Sequence, residues 1–260
     1  FDVLVLVNCP APVGFFRYPG RPSLLHRPDA EVICLSREDQ DAAAALRALA
    51  AELGATPAAI SAATPATPGG IAQAEGPLTP ETLAATVAAL IPEDAIVVNE
   101  ALTLGRSLSG VMPHAAPCDW LTVTGGAIGG GIPLATGAAV GARAMGRPDR
   151  RVLTLQADGS AAYTLQALWT QARENLPVTT LLLNNRSYAI LLDEYAKVGA
   201  QPGPTARDMM SLDRPALDWV ALAQGFGVPG ESVETAAELR AALTRSLGRD
   251  GPSLIDLRFA

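Results

Sequence analysis

Several functional classes are excluded by what this 260-residue sequence lacks. It has three cysteines, Cys9, Cys34 and Cys118, widely spaced and without a C-x-x-C pair, so neither a disulfide framework nor a zinc knuckle is expected and the thiols read as buried. Its two histidines, His26 and His114, lie far apart with no H-E-x-x-H companion, which disfavours a histidine zinc site and a Ser-His-Asp triad. Both are expected in loops or at the surface. Basic residues are outnumbered, 19 Lys and Arg against 26 Asp and Glu, for a net charge of -7. With no basic cluster to neutralise phosphates, no nucleic-acid partner is expected. Apolar runs such as Val3–Val7 and Thr179–Leu183 are too short to span a bilayer and no basic-then-apolar leader opens the chain. No membrane association is therefore expected, and the cytoplasm is the expected location.

What is present suits a sizeable core: 49% of residues are hydrophobic and 17% charged. The chain opens at Phe1 on an apolar run with no initiator Met, which reads as a piece of a longer protein. "FDVLVLVN" and "EVICLS" read as buried strands, and "REDQDAAAALRALAAELG" as an amphipathic helix stopped by Gly54. Residues 1–54 are thus expected to end one α/β domain. Residues 55–76, rich in Ala, Thr, Pro and Gly without periodicity, read as a linker. Residues 77–260 are expected to form a second domain. Thr79 is a plausible N-cap and Pro80 a first helical residue. Strand-like runs then alternate with helical patterns, including helices from about Ile132 and about Ala162, through to "SLIDLRF". Alternation with nearly continuous apolar strands predicts a parallel sheet covered by helices on both faces, whose ligands sit at the carboxyl ends of the strands.

Two of those strands end on chemistry. "RVLTLQA" runs into Asp158-Gly159-Ser160 and "VTTLLLN" into Asn184-Asn185. One strand-helix-strand crossover separates them, so Asp158 and Asn185 can meet at one sheet edge. A carboxylate and an amide oxygen are hard ligands that suit Mg²⁺, and Gly159 and Ser160 open a helix whose free N–H groups suit a phosphate. Taken singly, Asp-Gly is a common turn and Asn-Asn a common cap.

Taken together, D-G-S followed at this distance by N-N resembles the cofactor motif of thiamine-diphosphate enzymes, G-D-G…N-N. "ADGSAAYTLQALWTQARENLPVTTLLLNNRSYAI" is similar to the diphosphate-binding domain of the acetolactate synthase and benzoylformate decarboxylase group. "GGAIGGGIPLATGAAVGA" resembles the Gly-rich segment before that motif, and "APVGFFRYPGRPSLL" the end of the central domain. The resemblance implies thiamine diphosphate and Mg²⁺ as cofactors, with Asp158, the Asn185 side chain and the Ser187 main-chain oxygen on the metal. Gly159, Ser160 and Tyr188 would lie against the diphosphate, with Thr103 of "NEALT" beside it. Ile128 would prop the cofactor in a bent conformation, and the Gly126 carbonyl would accept from its aminopyrimidine. FAD has no support in the sequence. Position 157 is Ala where the motif has Gly, and the expectation is that the added methyl is tolerated. The Gly run could instead serve close helix-sheet packing or a dinucleotide loop, although it does not match G-x-G-x-x-G.

The implied activity is on 2-oxo acids. The activating glutamate is expected in an amino-terminal half that this sequence does not contain, so no residue here is assigned to catalysis. It would come from the pyrimidine-binding domain of a partner subunit in a homodimer or homotetramer. In benzoylformate decarboxylase the segment resembling "FFRYPG" carries a histidine after its Tyr, whereas here Pro19 follows Tyr18. Proline neither donates a hydrogen bond nor exchanges a proton. The expectation is therefore acetolactate-synthase-like carboligation, with a 2-oxo-acid decarboxylase as the alternative. A dinucleotide-binding oxidoreductase and a noncatalytic remnant are more distant readings.

Overall fold

The computed structural model describes residues 1–55 and 70–259. Most of the linker expected at residues 55–76 therefore lies outside the described residues. The chain divides into two compact units, Phe1–Pro65 with Glu194–Gln201, and Ala66–Asp193 with Pro202–Ala260.

In the first unit β1 (Val3–Val7) pairs in parallel with β2 (Glu31–Ser36), followed by helix α1 (Ala42–Glu52). Asp41 caps α1 by accepting from Ala44 N, and Gly54 adopts the left-handed conformation just past its end, as the sequence predicts. The expected burial of the two strands is not found: only Leu6 of β1 and Ser36 of β2 are buried, while Val3, Val5, Val32 and Ile33 are exposed. A two-stranded sheet with one helix leaves most of its two faces uncovered. The same geometry corrects the expectation of buried thiols, since Cys9 and Cys34 are exposed and Cys118 of the second unit is half-buried.

The second unit contains α2 (Pro80–Leu90), β3 (Ile96–Glu100), α3 (Leu108–Val111), β4 (Asp119–Thr122), α4 (Gly131–Ala144) and β5 (Val152–Ala157). It continues with α5 (Asp158–Thr164), α6 (Ala167–Arg173), β6 (Val178–Asn184) and α7 (Ala189–Lys197), whose residues from Glu194 on are counted with the first unit. The last elements are α8 (Pro204–Met209), α9 (Trp219–Gly225), β7 (Gly230–Val233), α10 (Ala236–Leu247) and β8 (Ser253–Arg258). Six strands form one sheet in the order β4-β3-β5-β6-β8-β7, every pairing parallel.

Period-two alternation divides each strand between two cores. Val97, Leu153, Leu155, Leu181 and Leu183 pack with Leu83 and Val87 of α2 and Leu239 and Leu243 of α10. On the opposite face Ile96, Val98, Val152 and Val178 pack with Ala135, Ala139 and Ala142 of α4, and Leu182 and Leu254 with Ile132, Leu168 and Trp219. Small residues on α4 let that helix approach the sheet closely. Truncating a fully buried leucine such as Leu181 to Ala is worth about 2–5 kcal/mol. Helix α2 begins as expected, with Thr79 and Thr82 forming reciprocal side-chain to backbone bonds and Pro80 at the first position.

The strand order locates the ligand crevice. From β3 the chain crosses to β4 at the sheet's edge, and β5 then lies on the other side of β3. That reversal opens a crevice outside the carboxyl ends of β3 and β5, where parallel α/β sheets bind ligands.

Candidate functional site

Asp158 stands at this crevice. The helix expected from about Ala162 starts four residues earlier, because Asp158-Gly159-Ser160, poor helix formers in isolation, are themselves the first turn of α5. Its N-cap, Ala157, has φ -68 and ψ 144, an ordinary extended conformation that needs no glycine, which accounts for alanine at this position. Asp158 is 2% exposed and accepts from Gly159 N at 2.8 Å and from Arg186 N at 2.6 Å. Burial nevertheless pushes its carboxyl up to about 6, against the lowering effect of those N–H groups. A charge buried with incomplete compensation is one that a cation would stabilise.

A second loop of the cleft follows β6. Asn185 Oδ1 accepts from Ser187 N at 3.0 Å, closing an Asx turn, and Arg186 takes the left-handed conformation at φ 56. This turn brings Asn185 and Ser187 into the cleft that Asp158 lines, together with Thr103, Ile128, Gly159, Ser160 and Tyr188. Eight of the nine residues singled out in the sequence therefore share one cleft. The ninth, Gly126, lines the adjoining cleft with Glu100 and Trp120, and Ile128 belongs to both. Ile128 is 44% exposed, so part of its side chain faces open space. The Gly126 carbonyl accepts from Ile128 N at 2.9 Å, which leaves one of its two lone pairs.

Gly159 is dictated by contact. A Cβ at this position would lie 2.7 Å from Cδ1 of the Tyr188 ring, so ring and helix turn meet without room for a methyl. Burial raises the Tyr188 phenol, with smaller contributions from Tyr163 and Asp158. Ser160 is 2% exposed and its hydroxyl is committed inward, to Gln156 Nε2 at 2.5 Å and to the Ala157 carbonyl at 3.0 Å. Its side chain does not face the cleft, so any ligand contact from Ser160 must come through its backbone.

The residue that the sequence reading missed is Glu100, the last of β3 and 3% exposed. Its carboxylate accepts from Gly129 N at 2.6 Å, Gly131 N at 2.7 Å and Gln156 Nε2 at 2.9 Å. The signal was available: "AIVVNE" delivers a carboxylate to the end of an apolar strand just as "RVLTLQAD" does. Glu100 also settles what the Gly-rich loop is for. Gly131 opens α4, and a phosphate seeking that helix terminus, as in a dinucleotide loop, would meet a protein carboxylate already bound there.

Asp158, Asn185 and Ser187 line one cleft, and a carboxylate, an amide oxygen and a main-chain carbonyl are ligand types that suit Mg²⁺, which takes few protein ligands and completes its octahedron with phosphate and water. Among the described residues no group of three or more His, Cys, Asp or Glu side chains could hold a metal, and no helix is long and apolar enough to cross a membrane.

Comparison with known proteins agrees with this geometry. Residues 105–257 match the family model of the thiamine pyrophosphate enzyme C-terminal TPP binding domain. The chain is 47% identical over 258 residues to the Mycobacterium tuberculosis protein named "Putative acetolactate synthase large subunit IlvX", covering 98% of this chain and 48% of that one. It is 35% identical over 190 residues to benzoylformate decarboxylase of Pseudomonas aeruginosa, covering 73% of this chain and 34% of the relative. Among solved structures it superposes with a TM-score of 0.71 and 28% identity on the thiamine diphosphate-dependent 4-hydroxybenzoylformate decarboxylase of Rhodococcus jostii, over 99% of this chain and 48% of that one. The chain spans about half the length, or less, of the relatives it matches.

Proposed function

The chain belongs to the thiamine pyrophosphate enzymes, whose C-terminal cofactor-binding domain it carries, and on that premise we propose that it anchors Mg²⁺ and thiamine diphosphate in an enzyme acting on 2-oxo acids. The observation that carries this reading is Asp158: a nearly inaccessible carboxylate at the end of β5, beside the sheet's topological switch point and in one cleft with Asn185 and Ser187.

In this reading Asp158, the Asn185 amide oxygen and the Ser187 main-chain oxygen hold the metal. Gly159, the Ser160 backbone, Tyr188 and Thr103 line the diphosphate site. Ile128, the shared wall of two clefts, props the cofactor between them, and the Gly126 carbonyl uses its second lone pair on the aminopyrimidine. Thiamine diphosphate supplies the nucleophilic carbon and the electron sink for decarboxylation. The chain's own share is binding, orientation and electrostatics. Residues 1–54 are read as the end of a central domain and residues 77–260 as the diphosphate domain. The proposal extends to a cytoplasmic homodimer or homotetramer, in which a partner subunit's pyrimidine-binding domain brings the activating glutamate.

Pro19 after Tyr18 and the 47% identity to a protein named as an acetolactate synthase large subunit favour carboligation. A second reading, 2-oxo-acid decarboxylation, is favoured by the likeness to benzoylformate and 4-hydroxybenzoylformate decarboxylases. The test is calorimetric titration of the full-length protein with thiamine diphosphate, with and without Mg²⁺, followed by product identification from pyruvate and from benzoylformate. Acetolactate from pyruvate is expected. Benzaldehyde as the main product, with no acetolactate, would establish the second reading, and absence of Mg²⁺-dependent binding would overturn both.

A further inference from the structure

We propose that Glu100 is the positioning residue of the cofactor loop: its carboxylate clamps the Gly-rich turn and so fixes where Ile128 and the Gly126 carbonyl stand. The inference rests on the proposed cofactor site and adds to it a residue outside the metal and diphosphate contacts.

The loop needs a clamp. Gly125, Gly126 and Gly129 all have positive φ, at 64°, 67° and 87°, so the segment around Ile128 is built from the residues with the widest backbone freedom. The N-cap of α4, Gly130, has no side chain with which to satisfy the helix's free N–H groups. Glu100 fills both roles from the neighbouring strand. One oxygen takes Gly129 N, the other Gly131 N, so the carboxylate spans the N-cap, from the loop residue before it to the first helical one. From the other side the Thr164 hydroxyl donates to the Gly129 carbonyl at 2.5 Å. The fit is close: a Cβ at Gly131 would lie 2.2 Å from Gln156 Oε1 and 2.8 Å from Glu100 Oε2.

The clamp ends short of the metal end of the site. Gln156 Nε2 donates both to Glu100 and to Ser160 Oγ, and Ser160 shares the first turn of α5 with Asp158. Ser160 Oγ is also held by the Ala157 carbonyl, and Asp158 by Gly159 N and Arg186 N, so the turn that carries Asp158 has anchors that do not depend on Glu100. Glu100 accepts three hydrogen bonds and donates none, a role glutamine cannot copy. An amide in its place would turn an NH₂ toward a backbone N–H or toward Gln156 Nε2 and leave a donor unpaired.

The experiment compares wild type, Glu100→Gln and Glu100→Asp of the full-length protein by calorimetric titration with two probes, thiamine diphosphate and inorganic pyrophosphate, each with Mg²⁺, and repeats Glu100→Gln in an Ile128→Ala background. Pyrophosphate reports the metal end alone. Glu100→Gln is expected to weaken thiamine diphosphate by about tenfold or more, the size set by one unpaired buried donor, and pyrophosphate by no more than about twofold. Glu100→Asp, which keeps the carboxylate but shortens its reach, should fall between. In the Ile128→Ala background the effect on thiamine diphosphate should shrink to about twofold, because the residue through which Glu100 acts is gone. Equal losses for both probes would make Glu100 a residue of the fold alone and overturn the proposal. So would an unchanged affinity, or a full effect persisting without Ile128. Wild-type protein that binds neither probe would instead overturn the cofactor-site reading itself.

Discussion

The buried charge of Asp158 makes a quantitative prediction about the metal-free protein. Burial raises its carboxyl from an ordinary 3.8 to about 6. That is about two pH units at ~1.4 kcal/mol each, so ionising Asp158 within the metal-free fold costs about 3 kcal/mol. The folded state binds this proton more tightly than the unfolded chain does. Stability from Asp158 is therefore fully present below about pH 3.8 and is lost as pH rises through about 6, with a plateau above about pH 7. Asp158→Asn removes the titration while keeping the shape, and subtracting its stability from that of wild type at each pH cancels every other titrating group.

In urea unfolding of the metal-free full-length protein, the wild-type minus Asp158→Asn difference should fall by about 2.5 kcal/mol between pH 4 and pH 8. Saturating Mg²⁺ with thiamine diphosphate should abolish that fall in wild type, because a ligand that binds only the folded state stabilises it and a cation favours the ionised carboxylate. The same ligands should leave Asp158→Asn almost unmoved. A difference that stays constant across the pH range without metal would refute the claim that this carboxylate is buried with incomplete compensation. A fall that persists with saturating ligands would refute its assignment to the metal.

Three further outcomes are expected. Gly159→Ala should weaken Mg²⁺-dependent thiamine diphosphate binding at least tenfold in calorimetry, at an overpacking cost of about 1–3 kcal/mol, because its methyl meets the Tyr188 ring. Ala157→Gly should leave that affinity within about twofold and lower stability by about 0.5–1 kcal/mol in urea unfolding, since Ala157 already has an ordinary extended conformation and glycine adds only freedom to the unfolded chain. Maleimide labelling of the native protein should modify Cys9 and Cys34 rapidly and Cys118 slowly, because the first two are exposed and burial raises the Cys118 thiol.

The second unit was legible in the sequence because each of its central strands is apolar on both faces, and only a sheet covered on both sides satisfies such a run. The motif residues were legible because β5 and β6 are adjacent and parallel, which places Asp158 and Asn185 at one edge once the strand ends are known. Three things were not legible, each for a physical reason. The burial of β1 depends on what covers it, and "VLVLV" does not carry that information. The start of α5 was set too late because Asp, Gly and Ser are weak helix formers, and tertiary contacts of a buried first turn override that weakness. Glu100 went unnoticed because its partners, Gly129, Gly131 and Gln156, are two backbone N–H groups and one neutral amide, and backbone donors leave no mark in side-chain patterns.

Two carboxylates stand at adjacent strand ends, Glu100 after β3 and Asp158 after β5, both nearly inaccessible. Burying either one costs free energy unless it is compensated, and the manner of compensation separates their roles. Glu100 is enclosed by donors on both oxygens, all of them from the protein. Asp158 takes its donors from the backbone on either side of the cleft, Gly159 N and Arg186 N, and remains held well above the usual carboxylate range. The backbone N–H groups of Asn185 and Ser187 also lower it, yet all four N–H groups together do not offset its burial. An anion that its donors leave under-compensated is one that a cation would stabilise, whereas an anion enclosed by donors on both oxygens acts as a clamp. Exchanging the two environments should exchange the roles: a side chain at position 158 that needs no cation would free the fold from its pH-dependent cost and lose the cofactor, and a side chain at position 100 without two acceptors would keep the metal and lose the loop.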